Sequence, residues 1–451
     1  MRRVRVLKFG GASLRDAASV HRVCGLVQRF GGERPVVVVS AIEGVTRLLE
    51  ASLEEAARGR LVWDGLRIRH RSLLTELGLR GDLLDRHLFD LCCVLTRLAE
   101  GAAATDDTRP VDFVLAFGER MSARVVAAAL AREGQAAVPV DAYDAGLVTR
   151  GSGALTPPSL GASRLRRALA GVRGASVVTG FLALDAGGHV TTLGPNGSDL
   201  SAVWIGAALE AREVQLWKEV PGILRADPAV VGESALLRTI GRDEAASLAR
   251  HGAQVLHPAA LGPARGSDLE VWLRDVRDPG GPGTRIVAET RFAGPLAIAR
   301  RAGLSLLELA WSERVAPDGS RPSGTRAGAL AVLFEWLRRA GAELVGCQAG
   351  PERVQVLVAA RRELRAPPGL SAAPHLRRGL ASVTVVGRGL AAGDVGERLL
   401  ASARALDPDA LPWADAASLG VLVREPLAAA CVRAAHDELF GRDRLESPAA
   451  G

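Results

Sequence analysis

The stretch Val4–Leu14, VRVLKFGGASL, decides the fold. Val4, Val6 and Leu7 have the apolar bias of a buried strand, and Lys8-Phe9-Gly10-Gly11 ends it abruptly. Two adjacent glycines let the backbone approach an anion and leave amide hydrogens unobstructed. Ser13 is placed to cap a helix expected over Asp16 to Arg29, whose N-terminus attracts negative charge. A lysine beside such a nest suits phosphoryl transfer, which needs a mobile cation for the charge on the moving group. The same residues also fit an ordinary strand–turn–helix with a surface lysine.

Composition favours the first reading. Of 57 Lys plus Arg, only Lys8 and Lys218 are lysines. A chain that uses arginine almost everywhere has kept lysine where a compact ammonium differs most from a guanidinium fork. The single asparagine, Asn196, lies in another glycine-containing loop. At 451 residues, two or three domains are expected. The net charge of +7 favours anionic substrates. The arginines are scattered among acids without aromatic interleaving, so nucleic acid is not the expected partner. Five cysteines, Cys24, Cys92, Cys93, Cys347 and Cys431, show no metal-site spacing and read as reduced thiols, hence a cytoplasmic protein. No leader or membrane span is expected.

Pro35-Val36-Val37-Val38-Val39 is a second strand, and its unbroken β-branched run implies burial on both faces, hence a parallel sheet. It opens into Ser40-Ala41-Ile42-Glu43-Gly44-Val45-Thr46, at the kind of strand end where open α/β sheets bind ligands. Residues 47 to 104 read as helices. Val111 to Phe117 reads as a third strand, with Glu119 just beyond its end, placed to bind an ammonium, act as a base or cap a helix. Val138 to Asp141 and Ala175 to Phe181 are further strands, and Gly146 to Pro158 reads as a hairpin or flap. Val190 to Asp199 (VTTLGPNGSD) is a strand, a polar loop and the start of a helix, a second anion site in which Asp199 could orient Lys8, bear on a metal-bound phosphate or cap the helix. Lys218 to Pro228 holds two turns of the kind found at a nucleotide's edge. Leu269 to Leu273 is expected to be the last strand of this domain, with Asp278 to Thr284 as the boundary loop.

From about Gly294, two βαββ units of roughly 70 residues follow, the ferredoxin-like pattern. The chain thus reads as α/β, an open and mainly parallel sheet between helical layers over 1–290. Smaller α+β units follow over 294–369 and 378–451.

Together these segments resemble the aspartate kinases of the amino-acid kinase family. The resemblance rests on KFGGASL at 8–14, SAIEGVT at 40–46, FGERMSA at 117–123 and VTGF at 178–181. TTLGPNGSD at 191–199, LWKEVPGILRADP at 216–228 and GAQVLHP at 252–258 complete the set. It implies a three-layer kinase domain followed by two ACT-type regulatory units. The implied reaction moves the γ-phosphoryl of MgATP to the β-carboxylate of L-aspartate, the first step towards lysine, threonine and methionine. Lys8, Gly10 and Gly11 would hold the phosphate with Ser13 nearby. Ser40, Thr46 and Glu119 would contact aspartate, Glu119 through its α-ammonium. Thr192, Ser198 and Asp199 would line the phosphate side, with Asp199 fixing Lys8. Lys218, Glu219, Leu224, Arg225, Asp227 and Gln254 would attend the nucleotide, and no side chain is assigned as a metal ligand. A homodimer paired through its ACT units is the expected assembly. An amino-acid effector is expected there too, with Ser323-Gly324-Thr325 and Ala416-Ala417-Ser418 as weak candidates.

The departures are specific. The family's usual TTLGRGGSD has become TTLGPNGSD, putting Pro195 where an arginine resembles a clamp for the substrate carboxylate. Such a contact is worth roughly 1.5–3 kcal/mol. Gln254 replaces a lysine expected near the ATP phosphates, Glu219 an aspartate, Ala229 an arginine and Ala12 a threonine. Arg365 to His375 is proline-rich rather than helical. Two alternatives therefore stand beside an aspartate kinase: a kinase for another carboxylate acceptor, and a non-catalytic regulatory homologue.

Overall fold

A computed structural model describes residues 4–101, 109–150, 154–194, 196–253, 255–310, 326–360, 375–415 and 418–441. The first part of the chain forms β1 (Arg5–Phe9), α1 (Ala17–Phe30), β2 (Val36–Val39), α2 (Val45–Ala57), α3 (Asp64–Glu76), α4 (Asp85–Ala99) and α5 (Arg109–Arg132). Next come β3 (Ala137–Val140), the small hairpin of β4 (Thr149–Arg150) and β5 (Ala154–Leu155), α6 (Pro158–Ala170) and β6 (Ala175–Thr179). A second hairpin of β7 (Leu182–Leu184) and β8 (Val190–Thr192) leads to α7 (Gly197–Ala208), β9 (Glu213–Lys218), α8 (Pro228–Val231), β10 (Thr239–Gly241), α9 (Arg242–Arg250), β11 (Glu270–Asp275) and β12 (Thr284–Val287).

Eight of these strands form one sheet in the order β10-β12-β11-β9-β1-β2-β6-β3, parallel at every junction except β11–β12. β1 lies inside the sheet, so Leu7 and Phe9 meet one helical layer while Val6 and Lys8 face the other. Helices α1 to α5 cover the first face, and α6, α7 and α9 cover the second. The unbroken Val36–Val39 run is fully buried, as a strand covered on both faces must be.

Three local expectations are corrected. Val111 to Phe117 lies within the 24-residue helix α5 rather than forming a strand. A short run apolar on both sides fits either element. Pro110 in the first turn and the alanine-rich continuation extend it as a helix. Glu119 therefore projects from mid-helix. Ser13 does not cap α1: it sits in a 3-10 turn, and Asp16 is the N-cap, accepting from the Ser19 amide at 2.8 Å. Leu269 to Leu273 is not the last strand of the sheet, because β12 follows the glycine turn and returns antiparallel to β11.

The remainder repeats βαββ: β13 (Gly294–Ala310), α10 (Arg326–Arg339), β14 (Glu343–Ala349) and β15 (Arg353–Ala359), then β16 (His375–Arg388), α11 (Val395–Leu406), β17 (Leu411–Asp415) and β18 (Ser418–Arg424), closed by α12 (Ala428–Phe440). Long strands β13 and β16 pair antiparallel and fuse the two repeats into one six-stranded sheet, β14-β15-β13-β16-β18-β17. No helix among the described residues is long and apolar enough to cross a membrane.

Candidate active site

Parallel strands bring their C-terminal ends to one edge. Phe9 is level with Val39 of β2 and Trp217 of β9, and Val39 is level with Thr179 of β6. Gly10-Gly11, Ser40-Ala41, Gly180 and Lys218 therefore emerge side by side. Alternation in β9 puts Val214 and Leu216 in the core beneath α7, so Lys218 faces α7 as Lys8 does.

Asp199, in the first turn of α7, is fully buried and meets both lysines. Lys8 Nζ lies 2.6 Å from its Oδ1, and Lys218 Nζ donates to its Oδ2 at 2.7 Å. Burial would push the Asp199 carboxyl up, but the two ammoniums outweigh it and hold its pKa below the ordinary value. An unpaired carboxylate at this depth would cost several kcal/mol, so the pairing is a condition of the fold. Burial lowers the Lys218 pKa and Lys8 adds to the lowering, against the pull of Asp199.

The loops interlock through contacts that need small residues. A Cβ on Gly11 would stand 2.9 Å from the Ala41 carbonyl oxygen, and one on Gly180 would stand 2.7 Å from Ser198 Cβ. Ser40 Oγ donates to Ser198 Oγ at 3.0 Å, joining the β2 loop to α7. Asn196 precedes α7 at φ 58°, the left-handed region that asparagine tolerates better than most residues. The chain's one asparagine thus has a backbone reason. The amides of Gly197 and Asp199 already bond the Gly194 and Asn196 carbonyls, so this helix start offers fewer free donors than the sequence implied.

Glu119 enters from α5. Its Oε1 accepts from the Ala41 amide at 2.9 Å, and burial raises its pKa to about 8. Its neighbour Gly118 allows the approach, since a Cβ there would meet Ala41 Cβ at 2.8 Å. Thr46 is half-buried in the first turn of α2.

The nucleotide set is dispersed. Glu219 follows β9, and its carbonyl accepts from Arg277. Leu224 is half-buried and bridges to Leu236. Asp227 caps α8 by accepting from the Ala229 amide at 2.9 Å. The Arg225 guanidinium stacks 4.8 Å over the Phe440 ring of α12, and its carbonyl accepts from Ile298 of β13 at 2.6 Å. Thr192 Oγ1 donates to Asp112 of α5 at 2.9 Å and Thr191 to the same carboxylate at 2.8 Å. Sequence reading missed that acid, because it had drawn residue 112 into a strand. Gln254, Pro195, Ser323-Gly324-Thr325, Ala416-Ala417 and residues 365–374 lie outside the described residues.

The amino acid kinase family model matches residues 3–275. The chain belongs to the amino acid kinase family. Relatives within it include aspartokinases. Aspartokinase 2, chloroplastic, of Arabidopsis thaliana is 35% identical over 300 residues, 62% of this chain and 54% of that protein. Lysine-sensitive aspartokinase 3 of Escherichia coli (strain K12) is 33% identical over 319 residues, 68% of this chain and 70% of that protein. The chain spans about half the length of the Arabidopsis relatives it matches. The crystal structure of E. coli aspartokinase III in complex with aspartate and ADP (R-state) superposes with TM-score 0.77 at 27% identity, covering 97% of this chain and 100% of that one. The same enzyme with lysine and aspartate (T-state) gives 0.72.

Proposed function

We propose that this chain is an aspartate kinase, which transfers the γ-phosphoryl of MgATP to the β-carboxylate of L-aspartate and gives 4-phospho-L-aspartate. The observation that carries the reading is the Lys8–Asp199 pair, set beside two glycine-rich loops and a buried Glu119 at one sheet edge. A cation next to exposed backbone amides serves the moving phosphoryl. A carboxylate in an apolar pocket serves the α-ammonium of an amino acid. The likeness to an aspartokinase solved with aspartate and ADP, over nearly the whole of both chains, supports the same acceptor.

In this reading Lys8, Gly10, Gly11 and Ser13 attend the phosphate. Ser40, Thr46 and Glu119 attend aspartate, and Ser198 and Asp199 set the lysine in place. Thr192 acts through Asp112 to fix the strand before α7. The nucleotide lies along Lys218, Glu219, Leu224 and Asp227, while Arg225 serves the junction with the C-terminal sheet. Among the described residues no group of three or more His, Cys, Asp or Glu side chains stands ready for a metal. We read Mg²⁺ as part of the substrate, carried on the phosphates.

The kinase domain is assigned to 1–290 and the ACT-like units to 294–369 and 378–451. An amino-acid effector on those units, pairing of two chains through them and a cytoplasmic location, where the product would feed lysine and threonine synthesis, complete the proposal. Light scattering that gives a monomer at micromolar concentration would remove the dimer.

The deciding assay is ATP turnover with Mg²⁺, with and without L-aspartate, trapping the acyl phosphate with hydroxylamine. Aspartate-dependent hydroxamate, lost in Lys8→Ala, is the expected result. Tight ATP binding with no aspartate turnover would move the assignment to another acceptor.

A further inference from the structure

The opposite edge of the sheet, where the strands begin, holds a cleft of about 950 Å³. Val4 of the β1 end, Val36 of β2 and Ser176 of β6 line it, with Arg212 just ahead of β9. The helices that lead into these strands end here, so Gly31, Ala170 and Leu209, at the ends of α1, α6 and α7, form part of its wall. Helix C-termini carry unpaired carbonyls and partial negative charge, which by themselves repel an anion.

Four arginines from four segments reverse that: Arg5, Arg34, Arg166 and Arg212. Part of their work is capping. Arg5 Nη1 donates to the Phe30 carbonyl at 3.0 Å, and Arg34 Nη2 to those of Ala170 and Val172 at 3.0 and 2.8 Å. Arg166 Nη2 donates to the Ala208 carbonyl at 3.1 Å and to Glu210 at 2.7 Å. Capping does not account for the whole set. Arg34 and Arg166 each use one terminal nitrogen for both of these contacts, and a guanidinium has five donors, so Nη1 and Nε of each fork are left over. Among the described residues the Arg212 side chain has no partner and Arg34 meets no carboxylate. Glu33 is the one acid in the lining, while Glu213 and Glu210 are taken by Arg5 and Arg166. Below this rim the floor is apolar, with Val4, Leu169 and Leu209 half-buried in it. A cavity of this size, with an apolar floor and a few convergent polar groups, has the make-up of a small-molecule site.

We infer that this cleft binds a small organic anion, its single carboxylate or phosphate head held by the unused guanidinium donors, Arg212 foremost, and its apolar body laid on Val4, Leu169 and Leu209. A single head follows from Glu33 and three helix C-termini in the same wall, which disfavour a polyphosphate. Either head suits a planar fork, since both present paired oxygens. The cleft lies at the far ends of the strands from Lys8 and Lys218, and it does not depend on the kinase reading.

The test titrates the full-length protein calorimetrically with phenyl phosphate, 4-phenylbutyrate and the neutral 4-phenylbutanol. Wild type, Arg212→Gln and Leu169→Trp are compared, with and without MgATP. At least one of the two anions is expected to bind at one site per chain, without displacement by MgATP, and the alcohol is not. A preference between the two anions supports the site and assigns the head. Arg212→Gln lies at an exposed position and is expected to leave thermal unfolding unchanged while weakening the anion more than about fivefold. Leu169→Trp puts a larger ring on the floor and should abolish binding, with circular dichroism as the check on folding. Should it fail to fold, Arg212→Gln decides alone. Four results overturn the inference: anions that bind no tighter than about 1 mM, an alcohol that binds as well as they do, displacement by MgATP, or a loss in Arg212→Gln below about fivefold.

Discussion

Glu119 is the residue whose chemistry is most exposed to a simple measurement. Burial raises its folded pKa from the ordinary 4.5 to about 8. Between those values the folded state holds a proton that the unfolded chain has lost, so this carboxyl makes the fold less stable as pH rises through the window. Binding an ammonium favours the ionised form. The aspartate KM is therefore expected to fall as pH rises from 6 to 8, by up to about tenfold per unit, and then to level off. Glu119→Gln should flatten that profile and raise KM throughout. It should also gain thermal stability over wild type at pH 8 but not at pH 5. A KM independent of pH in the wild type would remove Glu119 from the acceptor site.

At the scale of elements, the site is a set of loop ends pressed together, and its tolerances are fractions of an ångström. Gly180 follows β6 and sits against Ser198 in the first turn of α7. In Gly180→Ala the new Cβ forces that turn outward and takes Asp199 with it. The expected outcome is a loss of about 1–3 kcal/mol of stability and at least tenfold in kcat. Gly25 provides the contrast. It is exposed in mid-α1 with nothing within 4 Å of a Cβ, so Gly25→Ala should gain about 0.4–1 kcal/mol by restricting the unfolded chain, with unchanged activity. Chemical denaturation and the hydroxamate assay, run side by side, check both. Equal behaviour of the two variants would show that the close packing does not position Asp199.

On the scale of the whole molecule, the strand-end loops run into the second sheet. Arg225 lies on Phe440, and Val230 and Val231 of α8 pack against the core under α12. Behind them, His251 at the end of α9 reaches Thr384 of β16 and Ser418 of β18, at 3.4 and 3.2 Å. The segment expected along the nucleotide is thus anchored at its far end by the C-terminal unit. Phe440→Ala removes a buried ring, which costs about 3–5 kcal/mol where the site does not collapse. It is expected to raise the ATP KM more than the aspartate KM, since Arg225 continues the loop that begins at Lys218. Steady-state kinetics with each substrate varied in turn measure the difference. Parallel changes in both constants would make the junction purely structural.

By itself the sequence determined the sheet and its working edge. Continuous valine runs require burial on both faces, Gly-Gly and Asn-Gly turns require special backbone, and these patterns are local. It also singled out Lys8, Glu119 and Asp199, which the fold brings to one sheet edge. Tertiary structure alone decided what long-range packing controls. The run at Val111–Phe117 fits strand or helix by its pattern, and the structure makes it part of α5. Arg225 lies over the ring of Phe440, more than 200 residues away. Lys218 and Lys8, 210 positions apart, met on one carboxylate because β1 and β9 are adjacent parallel strands in register. Side-chain alternation fixes which face each lysine takes, but only strand order brings the two faces to the same aspartate.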